Sequence, residues 1–124
     1  MKRPLIYVCS RYSEGDSRLE DIRRAGRYCR QLYEAGYAPI APHIFFPQFL
    51  DGSIPEEKQD FRDMSLLFLR RCSALILCDA EPDDGMMDLI QNAQRYHILC
   101  TTLDGLLAVQ SLIRSSKPEI NADK

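Results

Sequence analysis

At 124 residues, with 45% apolar and 27% charged residues, the chain has the size and composition of one globular domain able to bury a core. A formal net charge of −2 and a pI near 5.7 exclude nucleic acid or an anionic membrane as partners held by charge alone. Apolar runs such as Ala74-Leu75-Ile76-Leu77-Cys78 are far too short to span a bilayer, and the basic start leads into a strand rather than a signal peptide.

In chain order, Leu5-Ile6-Tyr7-Val8-Cys9 is a continuous apolar run, as a strand buried on both faces requires. Glu14-Gly15-Asp16 breaks it, and Ser17 with Glu20 has capping-box spacing, so a helix is expected to begin there. Leu19, Ile22, Ala25, Cys29 and Leu32 form its apolar stripe, and Gly36 ends it. Tyr37 to Ala41 reads as a second strand closed by Pro42. His43 to Ser53 reads as an irregular loop whose phenylalanines cover a pocket or a subunit interface.

Pro55, Glu56 and Glu57 suit the first turn of a second helix, expected to run to about Arg71 with Phe61, Met64, Leu67 and Phe68 inward. Ala74 to Cys78 is a third buried strand, and the aspartates of Pro82-Asp83-Asp84-Gly85 can cap a helix from about Gly85 to Arg95. Ile98 to Thr101 follows as a fourth strand. Asp104 caps a last helix through Leu106, Val109, Leu112 and Ile113, and the residues from Ser115 to Lys124 form a polar tail.

Alternating apolar strands and amphipathic helices imply a flavodoxin/Rossmann-like α/β three-layer sandwich over residues 1–114, with a four- to five-stranded, mainly parallel sheet. Such sheets bind ligands beyond the carboxyl ends of their strands, where strand order reverses. Ser10 to Ser17, Pro42 to Asp51 and Asp79 to Asp88 should therefore surround one crevice.

Four features of that crevice bear on chemistry. The loop beginning Ser10-Arg11 enters a helix amino end and can hold a polar or anionic ligand group. Asp79, Glu81, Asp83, Asp84 and Asp88 form an acidic cluster suited to ribose hydroxyls or a divalent cation, or simply to capping a helix beside a solvated turn. His43 at the crevice edge is a candidate base or ligand contact, and equally an ordinary hydrogen-bonded loop residue. The five cysteines, Cys9, Cys29, Cys72, Cys78 and Cys100, are odd in number and contain no Cys-x-x-Cys pair. They read as core thiols in a reducing cytoplasm rather than as disulfides or a zinc site, and nothing in the pattern calls for a cofactor.

Ile6-Tyr7-Val8-Cys9-Ser10, Leu69-Arg70-Arg71-Cys72-Ser73-Ala74-Leu75 and Gly85-Met86-x-x-x-Ile90-x-x-Ala93 resemble the nucleoside 2-deoxyribosyltransferase-like superfamily. The nearest likeness is to its short, uncharacterised bacterial and phage-type branch, over about residues 4–102; Ala41-Pro42-His43 and Phe49-Leu50-Asp51 fit the same branch. The resemblance implies a cleft for a nucleoside or nucleotide and homo-oligomeric assembly, as a dimer or larger. It also implies cleavage of the N-glycosidic bond, by hydrolysis or transfer, through a helix glutamate assisted by an aspartate on the preceding helix.

An oxocarbenium-like transition state needs such a carboxylate beneath the sugar. In register, however, the glutamate position holds Leu89 and the aspartate position holds Ser65. If the chain is an enzyme, Asp88 and Asp63 are the expected substitutes, with Ser10, Arg11, His43, Asp79, Gly85 and Met86 binding substrate. The rival expectation is a catalytically inactive small-ligand binding or sensing module.

Overall fold

The computed structural model describes residues 2–13 and 15–116. Its strands are β1 (Leu5–Cys9), β2 (Ala38–Ile40), β3 (Ala74–Leu77) and β4 (Leu99–Thr102). All three neighbouring pairs are parallel, in the order β2-β1-β3-β4. The helices are α1 (Arg18–Glu34), α2 (Pro42–Phe45), α3 (Pro55–Arg71), α4 (Asp84–Arg95) and α5 (Leu103–Ser116). The protein is thus an α/β three-layer sandwich with a four-stranded parallel sheet. Residues 117–124, most of the expected tail, lie outside the described residues.

Side-chain alternation along the central strands divides the core in two. Tyr7 and Cys9 of β1 and Leu75 of β3 pack with Leu69 and Cys72 and with Met86 and Ala93 of α4. Ile6 and Val8, with Ala74 and Ile76, pack on the opposite face with Leu32 of α1 and Leu103 of α5. A period of two sends successive residues to opposite faces, so both faces of an apolar run are buried when helices cover both. Pro39 carries no N–H, and it is accommodated because β2 lies at the sheet edge.

Helix ends follow local chemistry. After α1, Gly36 has φ +103, and the N–H groups of Gly36 and Tyr37 bond to the carbonyls of Tyr33 and Leu32, both at 3.0 Å. That pair of bonds closes the helix and needs the left-handed backbone glycine adopts cheaply. His97 does the same after α4 at φ 60, with the Ile98 N–H reaching the Ala93 carbonyl at 2.8 Å. At the start of α1, Ser17 makes no side-chain cap bond, so the expected capping box is not formed.

Several expectations of facing are corrected. On α3 the buried residues are Ser65 and Leu69, whereas Leu67 and Phe68 are 60% and 42% exposed. A helix turns about 100° per residue, so the inward stripe is displaced by a step or two from the one read in sequence. Of the apolar positions named for α5, Leu106 packs on the core with Leu103 and Leu107, whereas Val109, Leu112 and Ile113 are exposed. The presumed loop after β2 holds α2 and a single 3-10 turn over Phe46–Gln48. Buried Phe46 anchors it, its ring 5.5 Å from Phe61 and 5.8 Å from Phe68 of α3.

Candidate functional site

β1 and β3 run side by side with Cys9 opposite Leu77, while the chain reaches β2 on one side of β1 and β3 on the other. Strand order therefore reverses between β1 and β3, and a cavity of about 450 Å³ opens at their carboxyl edge. Its volume falls in the range of small-molecule sites. β1 supplies Tyr7 and leads directly into Ser10; α2 supplies His43. α3 contributes Phe61, Arg62, Ser65 and Leu66 to one wall, and the start of α4 contributes Met86, Asp88 and Leu89 to the other. A second depression of about 630 Å³ adjoins it and shares Tyr12, Lys58 and Phe61.

The inner end is neutral and polar against apolar walls. Ser10 Oγ and His43 Nε2 are 2.8 Å apart and buried. Burial pulls the His43 imidazole down to about 4, against the opposing pull of Asp79, Asp83 and Asp21, so it is uncharged at neutral pH. Burial also pushes the Tyr7 phenol well above its ordinary value. Among the described residues, the buried side-chain polar atoms without a hydrogen-bond partner are Tyr7 Oη, His43 Nδ1 and Ser65 Oγ. All three belong to this cavity's wall.

The outer end is charged. Asp88 is gripped by Arg62 across the gap between α3 and α4, with Nε to Oδ2 at 3.0 Å and Nη2 to Oδ1 at 3.3 Å. The Asn92 amide donates to the Asp88 carbonyl at 2.8 Å and to Oδ1 at 3.3 Å. Asp83, also on the wall, accepts the Met86 N–H at 2.9 Å and so caps α4. That carboxylate occupies the helix amino end, where an anionic ligand group would otherwise be favoured.

Ser10, His43, Gly85, Met86 and Asp88, singled out from sequence, meet in this one cavity, whereas Arg11, Asp63 and Asp79 do not line it. Asp63 is exposed on another face of α3 and accepts a 2.9 Å bond from Gln59. The Arg11 guanidinium turns to the Glu81 carbonyl at 2.6 Å. Asp79 works behind the site: it accepts the Arg11 N–H and the Tyr28 hydroxyl, both at 2.6 Å, and lies 3.3 Å from Arg24. Arg24 also binds Asp21 at 2.6 Å, and Asp21 accepts the Ser13 N–H at 2.8 Å, so this network ties down the first loop.

Burial pushes the Asp21 carboxyl up, but the bonds from Ser13 and Arg24 outweigh it and hold the group below its usual value. The cysteine thiols are free and pushed up by burial, Cys9 to about 12 and Cys72 to about 11, which leaves them protonated and inert near neutrality. Tyr7, Tyr12, Ser65 and Arg62 were not singled out as contacts from sequence. Only Ser65 and Leu89 had a signal, their register with the superfamily's carboxylates, and both do face the cavity.

A family model for a domain of unknown function, DUF7768, matches residues 4–103. The chain belongs to the DUF7768 family. Among solved structures, this DUF7768 domain is similar to a 2-deoxyribosyltransferase from Bacillus psychrosaccharolyticus, with a TM-score of 0.60 and 13% identity. The match covers 79% of this chain and 70% of that one. At that identity the likeness establishes a shared fold. No curated protein matches the sequence.

Proposed function

We propose that this DUF7768 domain binds a nucleoside or nucleotide in the cavity between α3 and α4 and lacks the carboxylate apparatus for cleaving the N-glycosidic bond. The observation that carries the reading is the pairing of Ser65 and Leu89 on the cavity wall, at the positions where the resembled superfamily places its aspartate and glutamate. Leu89 has no nucleophilic atom, and the neutral Ser65 hydroxyl lacks the negative charge with which a carboxylate attacks an anomeric carbon or stabilises an oxocarbenium ion there. The fold shared with a 2-deoxyribosyltransferase supports the ligand class.

Asp88 favours a second reading, a weak glycosidase, because its carboxylate reaches the same wall. Against it stands the two-point contact with Arg62, which neutralises the charge a nucleophile must present. A nucleoside and nucleotide panel, followed by thermal shift and by chromatography for free base, separates the two. Stabilisation without base release supports a binding or sensing module, release abolished in Asp88→Ala supports the enzyme, and no stabilisation by any compound refutes both.

The exposed Phe45 and Phe49 beside Phe46, with Leu67 and Phe68 of α3, support a homo-oligomer of this domain, which light scattering checks. Five free cysteines favour a reducing, cytoplasmic setting. No described helix is long and apolar enough to cross a membrane.

A further inference from the structure

We propose that the inner end of the cavity recognises an uncharged hydrogen-bonding group, either a nucleobase edge or sugar hydroxyls, through Tyr7 Oη, Ser65 Oγ and His43 Nδ1, and that any phosphate stays at the mouth. The inference rests on the nucleoside-binding reading and adds the chemistry of the contact.

The argument starts from the rarity of buried polar atoms without partners. Each gives up its water without gaining a partner, so folded proteins carry few of them. Here all three such atoms of the described residues belong to residues that line one cavity, contributed by β1, α2 and α3. Random packing faults would scatter through two core layers.

Each atom also has a reason to be left over. The imidazole spends Nε2 on Ser10, and in either tautomer Nδ1 is left over, as a donor or as an acceptor. The Tyr7 and Ser65 hydroxyls are near enough to influence one another, yet neither makes a well-formed bond. A ligand hydroxyl set against both can accept from one and donate to the other.

Charge decides what kind of ligand group fits. No lysine or arginine stands among the three, and the charged residues of the wall are Lys58, Arg62, Asp83 and Asp88. Lys58 and Arg62 are exposed on α3, at the solvent side of the cavity. A phosphate pushed inward would lose its water against neutral hydroxyls and approach the Asp83 carboxylate, an unfavourable exchange. A neutral heterocycle or sugar loses far less water and gains the three unmet bonds.

The test uses calorimetric titration and thermal melts of the full chain and of Tyr7→Phe and Ser65→Ala. Each substitution removes an unmet polar group, so the free protein should melt at the same temperature or higher. Nucleoside affinity should nevertheless fall about fivefold to tenfold per hydroxyl removed, the usual worth of one hydrogen bond. Binding of free base without free ribose assigns the contact to the base edge; binding of free ribose without base assigns it to sugar hydroxyls, and either supports the proposal.

Inorganic phosphate or ribose 5-phosphate binding in a manner abolished by Ser65→Ala overturns it. So does nucleoside affinity unchanged in both variants, or a lower melting temperature in both with affinity unchanged. Those outcomes leave nucleoside binding itself intact. No binding by any probe refutes the nucleoside reading and this inference together.

Discussion

Replacing Asp79 by alanine should destabilise the domain although Asp79 does not line the cavity. Its side chain is 12% exposed and receives the Arg11 N–H and the Tyr28 hydroxyl, both at 2.6 Å, with Arg24 at 3.3 Å. Burial, reinforced by Asp79, pushes the Tyr28 phenol up to about 12, so it stays a donor throughout the working range. Hydrogen bonds to a charged acceptor contribute about 1.5–3 kcal/mol each, with the lower end expected for the exposed Arg11 amide, which water can re-solvate. Arg24 keeps Asp21 as a partner and so adds little.

The loss should come to about 3 kcal/mol, about half of it from Tyr28. With an unfolding entropy of about 2.1 cal/mol/K per residue, that lowers the melting temperature of this chain by roughly 12 °C. Urea denaturation followed by circular dichroism measures the free energy, and the m-value should not change. In a double-mutant cycle, Tyr28→Phe should cost about 1–2 kcal/mol in the native background and almost nothing with Asp79→Ala. A loss under about 0.5 kcal/mol, or additive effects in the cycle, would refute the claim that this network holds the first loop.

Two further outcomes follow from the site. His43 titrates near 6.5 when unfolded and near 4 when folded, because burial disfavours its charged form. The unfolded chain therefore binds more protons across that window, and stability should be complete above pH 6.5 and fall by about 3 kcal/mol as pH drops toward 4. Asp21, held below its ordinary 3.8, acts only under that window. Urea titrations at several pH values should show a flatter curve in His43→Gln, and an unchanged slope would mean that another group is responsible. Separately, Leu89→Glu places a carboxylate on the cavity wall at the position the resemblance assigns to the superfamily's glutamate. Base release from a bound nucleoside should then rise at least about tenfold above wild type by chromatography, more than one decade being the least a positioned nucleophile supplies. A folded, nucleoside-binding variant with no added release would sink the correspondence between this cavity and that site.

The fold was largely legible because its signals are local. Apolar runs at 5–9 and 74–77, broken by turns and joined by amphipathic stretches, leave few arrangements other than a parallel sheet covered on both faces. Gly36 announced the end of α1 in the same way, whereas His97 did not announce the end of α4, since histidine is enriched at positive φ but adopts it in only a small minority of cases. The site was half legible. Topology required Ser10, His43 and the start of α4 to share the crevice, and each is found there.

What sequence could not decide was the rotation of each helix about its own axis. On α3, two positions separate exposed Asp63 from buried Ser65, and exposed Leu67 from buried Leu69. At about 100° per residue, apolar periodicity leaves that choice open when phenylalanines and leucines occupy more than one face. The contacts that define the cavity, Ser10 with His43 and Arg62 with Asp88, join residues 33 and 26 positions apart. Their geometry belongs to the packing of α2, α3 and α4 against the sheet. Local propensity establishes the elements, and only their docking establishes which side chains meet.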